Sequence, residues 1–282
     1  MTRIYPLIFI LLWSSAFITT KPIVDNSDPF AALAFRFFFV ALGFYLFSFY
    51  LNQSLITNKR KIAESVLSGV LFHGFYLGGV FYSISIGMPV GIAALIVTLQ
   101  PVLTNILSGP ILDEKITTQQ WIGVLLGFTG ASLVLGLDIG SGIPLLGLIA
   151  TIIALLSITI STIWQKKISK NLPLSVSNFY QAFGGCLFHV LIVIFFAEPY
   201  INFTKVFIIA MSHQVLLVSF GAFTILMLLI KKNSASKTVS IFFLIPSTSA
   251  LMAWFFLNEK LTNLDVVGFI VTSVGVYIAT RE

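Results

Sequence analysis

The stretch PVLTNILSGPILDEKITTQQWIGVLLGFTG at residues 101–130 has a second copy, PSTSALMAWFFLNEKLTNLDVVGFIVTSVG at 246–275. Pro101, Glu114, Lys115, Thr117, Gly123 and Gly130 return as Pro246, Glu259, Lys260, Thr262, Gly268 and Gly275, each displaced by 145 residues without a gap. Lys21 and Lys166 keep the same offset, so the duplication extends over the whole half. A duplicated membrane chain is built around a pseudo-symmetry axis, and membrane folds of that kind are mostly transporters.

That this is a membrane chain follows from composition. Hydrophobic residues make up 57% of it and charged residues 9%, against about 25% charged in soluble domains. Apolar runs approaching bilayer length, about 20 residues, fall at 4–20, 30–51, 63–86, 90–112, 120–137, 143–165, 176–196, 206–230, 235–257 and 265–280. The connections leave no room for a soluble domain. Reading the first run, which follows Arg3, as a cleaved signal peptide would break the five-plus-five repeat. The expected organisation is an all-α integral membrane protein of ten transmembrane helices, with repeats at 1–138 and 139–282.

An odd number of spans per half turns the second half upside down relative to the first. Inverted halves can exchange shapes, which is the structural basis of alternating access. With the N-terminus inside, the inner segments hold twelve Lys and Arg and the outer loops three, namely Lys21, Lys205 and Lys260. This bias predicts that both termini are cytoplasmic. The net charge of +6 is then a topology signal rather than a nucleic-acid footprint, since the basic residues are split among short loops.

Catalytic patterns are missing from the sequence. It contains no G-x-S-x-G, no H-E-x-x-H and no acidic pair within a span, so a membrane-embedded enzyme is the weaker reading. The three histidines and Cys186 have no metal-ligand spacing. No metal or cofactor is expected, and Cys186 reads as a packed residue.

Pro101 and Pro246 each lie near the middle of a span. A proline there removes one backbone hydrogen bond and clashes with the carbonyl four residues back. In lipid such a defect persists where it is buried in protein or lines a wet cavity. The released carbonyls are at about Val97 and Phe242. Gln100 sits beside the first kink, and Ser247, Thr248 and Ser249 follow the second. Gly74-x3-Gly78 and Gly123-x3-Gly127 are small-residue stripes for helix packing. The Glu114–Lys115 and Glu259–Lys260 pairs, at span ends, read as boundary anchors and caps of neighbouring helices.

Two further segments resemble a known family. Trp13-Ser-Ser-Ala-Phe-Ile-Thr-Thr-Lys21 resembles the first-helix signature of the drug/metabolite transporter superfamily, in its EamA branch. Pro29-Phe-Ala-Ala-Leu-Ala-Phe-Arg36-Phe resembles the second-helix signature, and the two proline-to-glutamate stretches look like the fourth and ninth helices. Ser14 departs from the pattern, where glycine is common, and predicts looser packing of the first helix. The resemblance covers essentially the whole chain. It implies a multi-pass carrier in the cell (inner) membrane that moves a small organic solute, such as an amino acid in the export direction. A nucleotide-related or sugar-derived metabolite is the alternative. It also implies a central cavity lined by helices one, three, four, six, eight and nine.

Within that cavity Trp13, His73, Tyr76, Gln100, Trp164 and Ser247 are the candidate substrate contacts. Trp13 is too deep for an interfacial anchor, whereas Trp164 lies near a span end. Aromatic walls suit an amphipathic solute. His73 has Tyr76, Val80 and Ser83 following it on one helical face, and an imidazole titrating normally near pH 6.5 opens the option of proton coupling. Arg36 lies roughly 10 Å along its helix from Pro29 and must face partners. Its counterpart in the second half is Tyr180 or Gln181, so the charge is not duplicated. A structural or gating role is expected for it, as for Pro101 and Pro246. His189 is expected at the periphery, and His213 near an entrance.

Overall fold

The computed structural model describes residues 4–55, 58–135, 143–168, 171–196, 198–257 and 262–281. Ten spans follow one another. They are α1 (Tyr5–Val24), α2 (Pro29–Tyr50), α3 (Lys59–Ser85), α4 (Val90–Val97 and, after a break, Gln100–Leu112), α5 (Thr118–Leu135), α6 (Leu145–Ile168), α7 (Leu174–Phe196) and α8 (Lys205–Lys232). They continue with α9 (Ala235–Ser240, a tight turn Ile241–Phe243, then Leu244–Leu257) and α10 (Asn263–Thr280). Among the described residues nine spans are long and apolar enough to cross a membrane. The remaining one, α5, begins on the polar Thr118, Gln119 and Gln120.

Local chemistry sets several helix starts. Asp28 caps α2 by accepting the Ala31 N–H at 2.7 Å, and Pro29 occupies the first turn, where its missing N–H costs nothing. Thr204 caps α8 and Ser234 caps α9. Thr262 and Asp265 form a reciprocal capping box at α10.

The repeat is visible in how the halves meet. Between helices in lipid, close van der Waals packing of small residues replaces the hydrophobic drive. Helices α5 and α10, the last of each half, cross on the duplicated glycines. A Cβ on Gly123 would stand 2.6 Å from the Gly275 carbonyl oxygen, and one on Gly130 would stand 2.7 Å from that of Gly268. The four glycines thus face one another across the pseudo-symmetry axis. Helix α2 also packs along α7, its own counterpart. The third helix of each half also carries a π-helical segment, at Val70–Tyr76 in α3 and Gln214–Ala222 in α8. Such wider turns recur at functional sites.

Both ends of the bundle are tied. At the end where α1 begins, Lys232 lies over the Tyr5 ring, and Glu114 accepts the N–H groups of Ala235 and Ser236. Gln119 reaches the Ile278 carbonyl there, so α10 finishes at this same end. Glu114 thereby caps a neighbouring helix as its position suggests. Glu259 and Lys260 lie outside the described residues. At the far end the α1–α2 loop meets the α7–α8 loop. Asp28 N–H donates to the Tyr200 carbonyl at 3.0 Å, and Asn202 N–H to that of Asn26 at 2.8 Å.

Ser14 does the opposite of loosening α1. It is fully buried, and its hydroxyl donates to the Ile245 carbonyl at 3.2 Å. Ser249 donates back to the Ser14 carbonyl at 3.1 Å. A glycine would forfeit the first of these bonds, so serine fastens α1 to α9.

Candidate functional site

Two neighbouring cavities lie within the bundle. The smaller, about 40 Å³, is lined by Trp13, Thr20, Arg36, His73, Tyr76, Gln214 and Ser219 among apolar neighbours. The larger, about 610 Å³, runs from Trp13 and Tyr76 past Val97, Phe242, Pro246 and Ser249 to Lys21 and Val90. Trp13, Phe17 and Tyr76 belong to both. The Lys21 side chain is 58% exposed, so the larger cavity reaches the surface at the far end. It is large enough for a small organic solute, whereas the smaller one takes about three water-sized groups at ~10–15 Å³ each.

Aromatic rings form the walls. Trp13 packs on Phe242 with centroids 5.8 Å apart and meets Phe72 edge-on at 6.1 Å. The His73 ring lies 4.4 Å from Phe37 and 4.5 Å from Phe223. Its Nδ1 has no hydrogen-bond partner among the described residues. Gln214 donates to the Ala16 carbonyl and the Thr19 hydroxyl, each at 2.9 Å, which leaves its Oε1 unpartnered. Arg36 is buried and donates from Nε to the Ser219 hydroxyl at 2.9 Å.

Three of the six substrate candidates line the cavities, namely Trp13, His73 and Tyr76. Among the kink and gating candidates, Pro246 and Arg36 line them as well. Val97 and Phe242, whose carbonyls the two prolines release, are also in the lining. The rest lie elsewhere. Gln100 is fully buried and donates to Thr162 at 3.0 Å, with Pro101 buried beside it. Trp164 donates its indole N–H to the Glu64 carbonyl at 3.1 Å, which pins α6 to α3. Ser247 is buried outside the lining, and Ser249 takes its place there.

Two expectations are corrected. Helix α6 supplies no lining residue to either cavity. Gly79 lets α3 approach α6 so closely that a Cβ would stand 2.6 Å from the Ala150 carbonyl oxygen, so α3 stands between α6 and the cavity. The seventh span is largely exposed, as expected of a peripheral helix, but His189 is fully buried on its inner face, against Phe37 of α2 and His73 of α3. Its Nε2 lies 2.9 Å from the His73 carbonyl, which can only accept, so Nε2 carries the hydrogen. His213 bonds Ser15 at 3.0 Å and ties α8 to α1 without entering the lining.

The sequence reading did not single out Gln214 and Ser219. They share no motif with the first half, where the equivalent positions are Gly69 and Gly74.

Further polar side chains are buried outside the two cavities. Thr104, Asn105 and Ser108 on α4, Gln165 on α6 and Ser247 on α9 each bury a polar atom with no partner among the described residues. Asn105 and Ser236 bond directly across α4 and α9.

Ten helices in two inverted halves, enclosing a cavity that reaches one end of the bundle, define a membrane transporter. The EamA-like transporter family model matches residues 3–136 and 145–281, and the chain belongs to that family. It is 27% identical over 226 residues to "Uncharacterized transporter YvbV" of Bacillus subtilis, which covers 76% of this chain and 69% of that one. It is 21% identical to the "Probable amino-acid metabolite efflux pump" of Escherichia coli, over 96% of this chain and 92% of that one. A solved structure, titled "Crystal structure of protein", superposes with a TM-score of 0.82 at 17% identity. That match covers 99% of this chain and 97% of that one.

Proposed function

We propose that this transporter moves an amino acid or an amino-acid metabolite out of the cell, across the cell membrane, by alternating access. The observation that carries the reading is the cavity's asymmetry. It reaches the surface beside Lys21, while Thr104, Asn105 and Ser108 on α4, toward the other end, are buried outside its lining. In an inverted repeat, exchanging the shapes of the halves closes the far end and opens the other, which exposes those α4 side chains. The unpartnered hydroxyls and amides then line a wet passage and find their partners in water or solute.

The name borne by the Escherichia coli relative supports amino-acid metabolites as the solute class. The aromatic walls suit an amphipathic member of that class. The excess of Lys and Arg on one set of loops supports cytoplasmic termini, which makes the far end the outside. Counterflow of labelled amino acids into proteoliposomes tests the reading. Uptake of at least one amino acid or metabolite that saturates and needs the protein is expected. Failure of the whole panel with reconstituted, folded protein would refute the solute class.

A further inference from the structure

We propose that Arg36 binds the solute's carboxylate, seating it in the small cavity while the rest of the molecule occupies the larger one. The inference rests on the solute class proposed above and deepens it.

Arg36 is 3% exposed in the middle of a membrane span. A cation at that depth must pair with charges, carbonyls or a wet cavity. Here the guanidinium makes one hydrogen bond among the described residues, from Nε to Ser219. Among the described residues no carboxylate stands within ion-pair distance of it, for the ion pairs are Lys21–Asp25 and Arg60–Glu64. The other contact is the face of Phe37, 5.3 Å from the guanidinium carbon. A purely structural arginine would spread its donors over helix carbonyls, and this one does not. It borders the small cavity instead.

Size and surroundings select the ligand. A space of about 40 Å³ holds about three water-sized groups, which is the heavy-atom count of a carboxylate. A guanidinium fork matches a carboxylate in a bidentate way. One cation balances one negative charge, so a multiply charged phosphate is disfavoured. Trp13, Phe17 and Tyr76 bound both cavities, so the proposal requires these three side chains to part around a short apolar body that joins the carboxylate to the larger space.

The test compares phenylacetate with phenylacetamide, which have the same shape but differ in charge. Binding to purified, detergent-solubilised protein is read from tryptophan fluorescence and thermal shift. Wild-type protein is expected to prefer the acid by at least about tenfold, as for a charged bidentate pair. Arg36→Gln should abolish that preference and Arg36→Lys should keep part of it. Equal binding of acid and amide by wild type, or a preference that survives Arg36→Gln, overturns the proposal. Should Arg36→Gln not fold, the wild-type comparison and Ser219→Ala decide. Ser219→Ala removes the guanidinium's hydrogen bond to the Ser219 hydroxyl and should weaken acid binding several-fold while leaving the amide unchanged. An acid preference that needs Arg36, found with a protein that moves no amino acid or metabolite, supports this site and refutes the solute class.

Discussion

Removing the Glu114 carboxylate should unlatch the closed end. Its Oε1 accepts the Ala235 N–H at 2.8 Å and its Oε2 that of Ser236 at 3.3 Å. Both N–H groups belong to the first turn of α9, where the helix offers them no carbonyl. A hydrogen bond to a charged group contributes about 1.5–3 kcal/mol. Glu114 is half-buried and its second bond is long, so a joint contribution of about 1–2 kcal/mol is appropriate. Such an energy changes a two-state ratio by about 5–30-fold. The bonds join the first half to the second and are lost when the closed end opens. Glu114→Ala should therefore raise the population open at that end by the same factor. The assay places a cysteine at Ser108, fully buried on α4, in a Cys186→Ser background. An impermeant maleimide is then added on the Glu114 side of sealed vesicles. Modification at least about fivefold faster in the Glu114→Ala protein is expected. An unchanged rate at matched amounts of folded protein would show that the bonds do not hold this end shut.

Three further outcomes are expected. Gly130→Leu should lower thermal stability in detergent, because its Cβ would stand 2.4 Å from the Thr272 nitrogen and overpacking costs about 1–3 kcal/mol; an unaltered melting temperature would contradict the crossing. Pro246→Ala should change transport kinetics while leaving membrane abundance intact, since Pro246 lines the larger cavity; wild-type kinetics would reduce it to a packing residue. A cysteine at Thr262 should react with impermeant reagent on intact cells and one at Lys167 should not; the reverse pattern would invert the topology.

The fold was legible because its two signals survive without atomic detail. The spacing of Pro101, Glu114 and Gly130 gave the repeat, and an odd number of apolar runs gave the inversion. Site residues were harder to place because both the lipid face and the core face of each helix are apolar. Hydropathy therefore does not reveal which side of a span looks inward. Phe38 on α2 is 56% exposed and its neighbour Phe37 is fully buried, although the sequence treats them alike. Helical phase is also interrupted. The break at Thr98–Leu99 turns Gln100 away from the lining and toward α6. The π-helical segments of α3 and α8 shift every later position. Trp13 and Tyr76 were recoverable because a deep aromatic is informative at any phase. Ser219 was not, because a lone hydroxyl in an apolar run is ordinary.

The bonds between the α1–α2 loop and the α7–α8 loop run from main chain to main chain. Ordinary side-chain replacement cannot cut them, since every residue but proline brings the same N–H. Any rearrangement that keeps them must carry residues 26–28 and 200–202 together, although one trio comes from each copy of the duplication. Bodies moving under that constraint would not coincide with the two copies. What was doubled in the gene and what would swing in the membrane are then different partitions of the same chain.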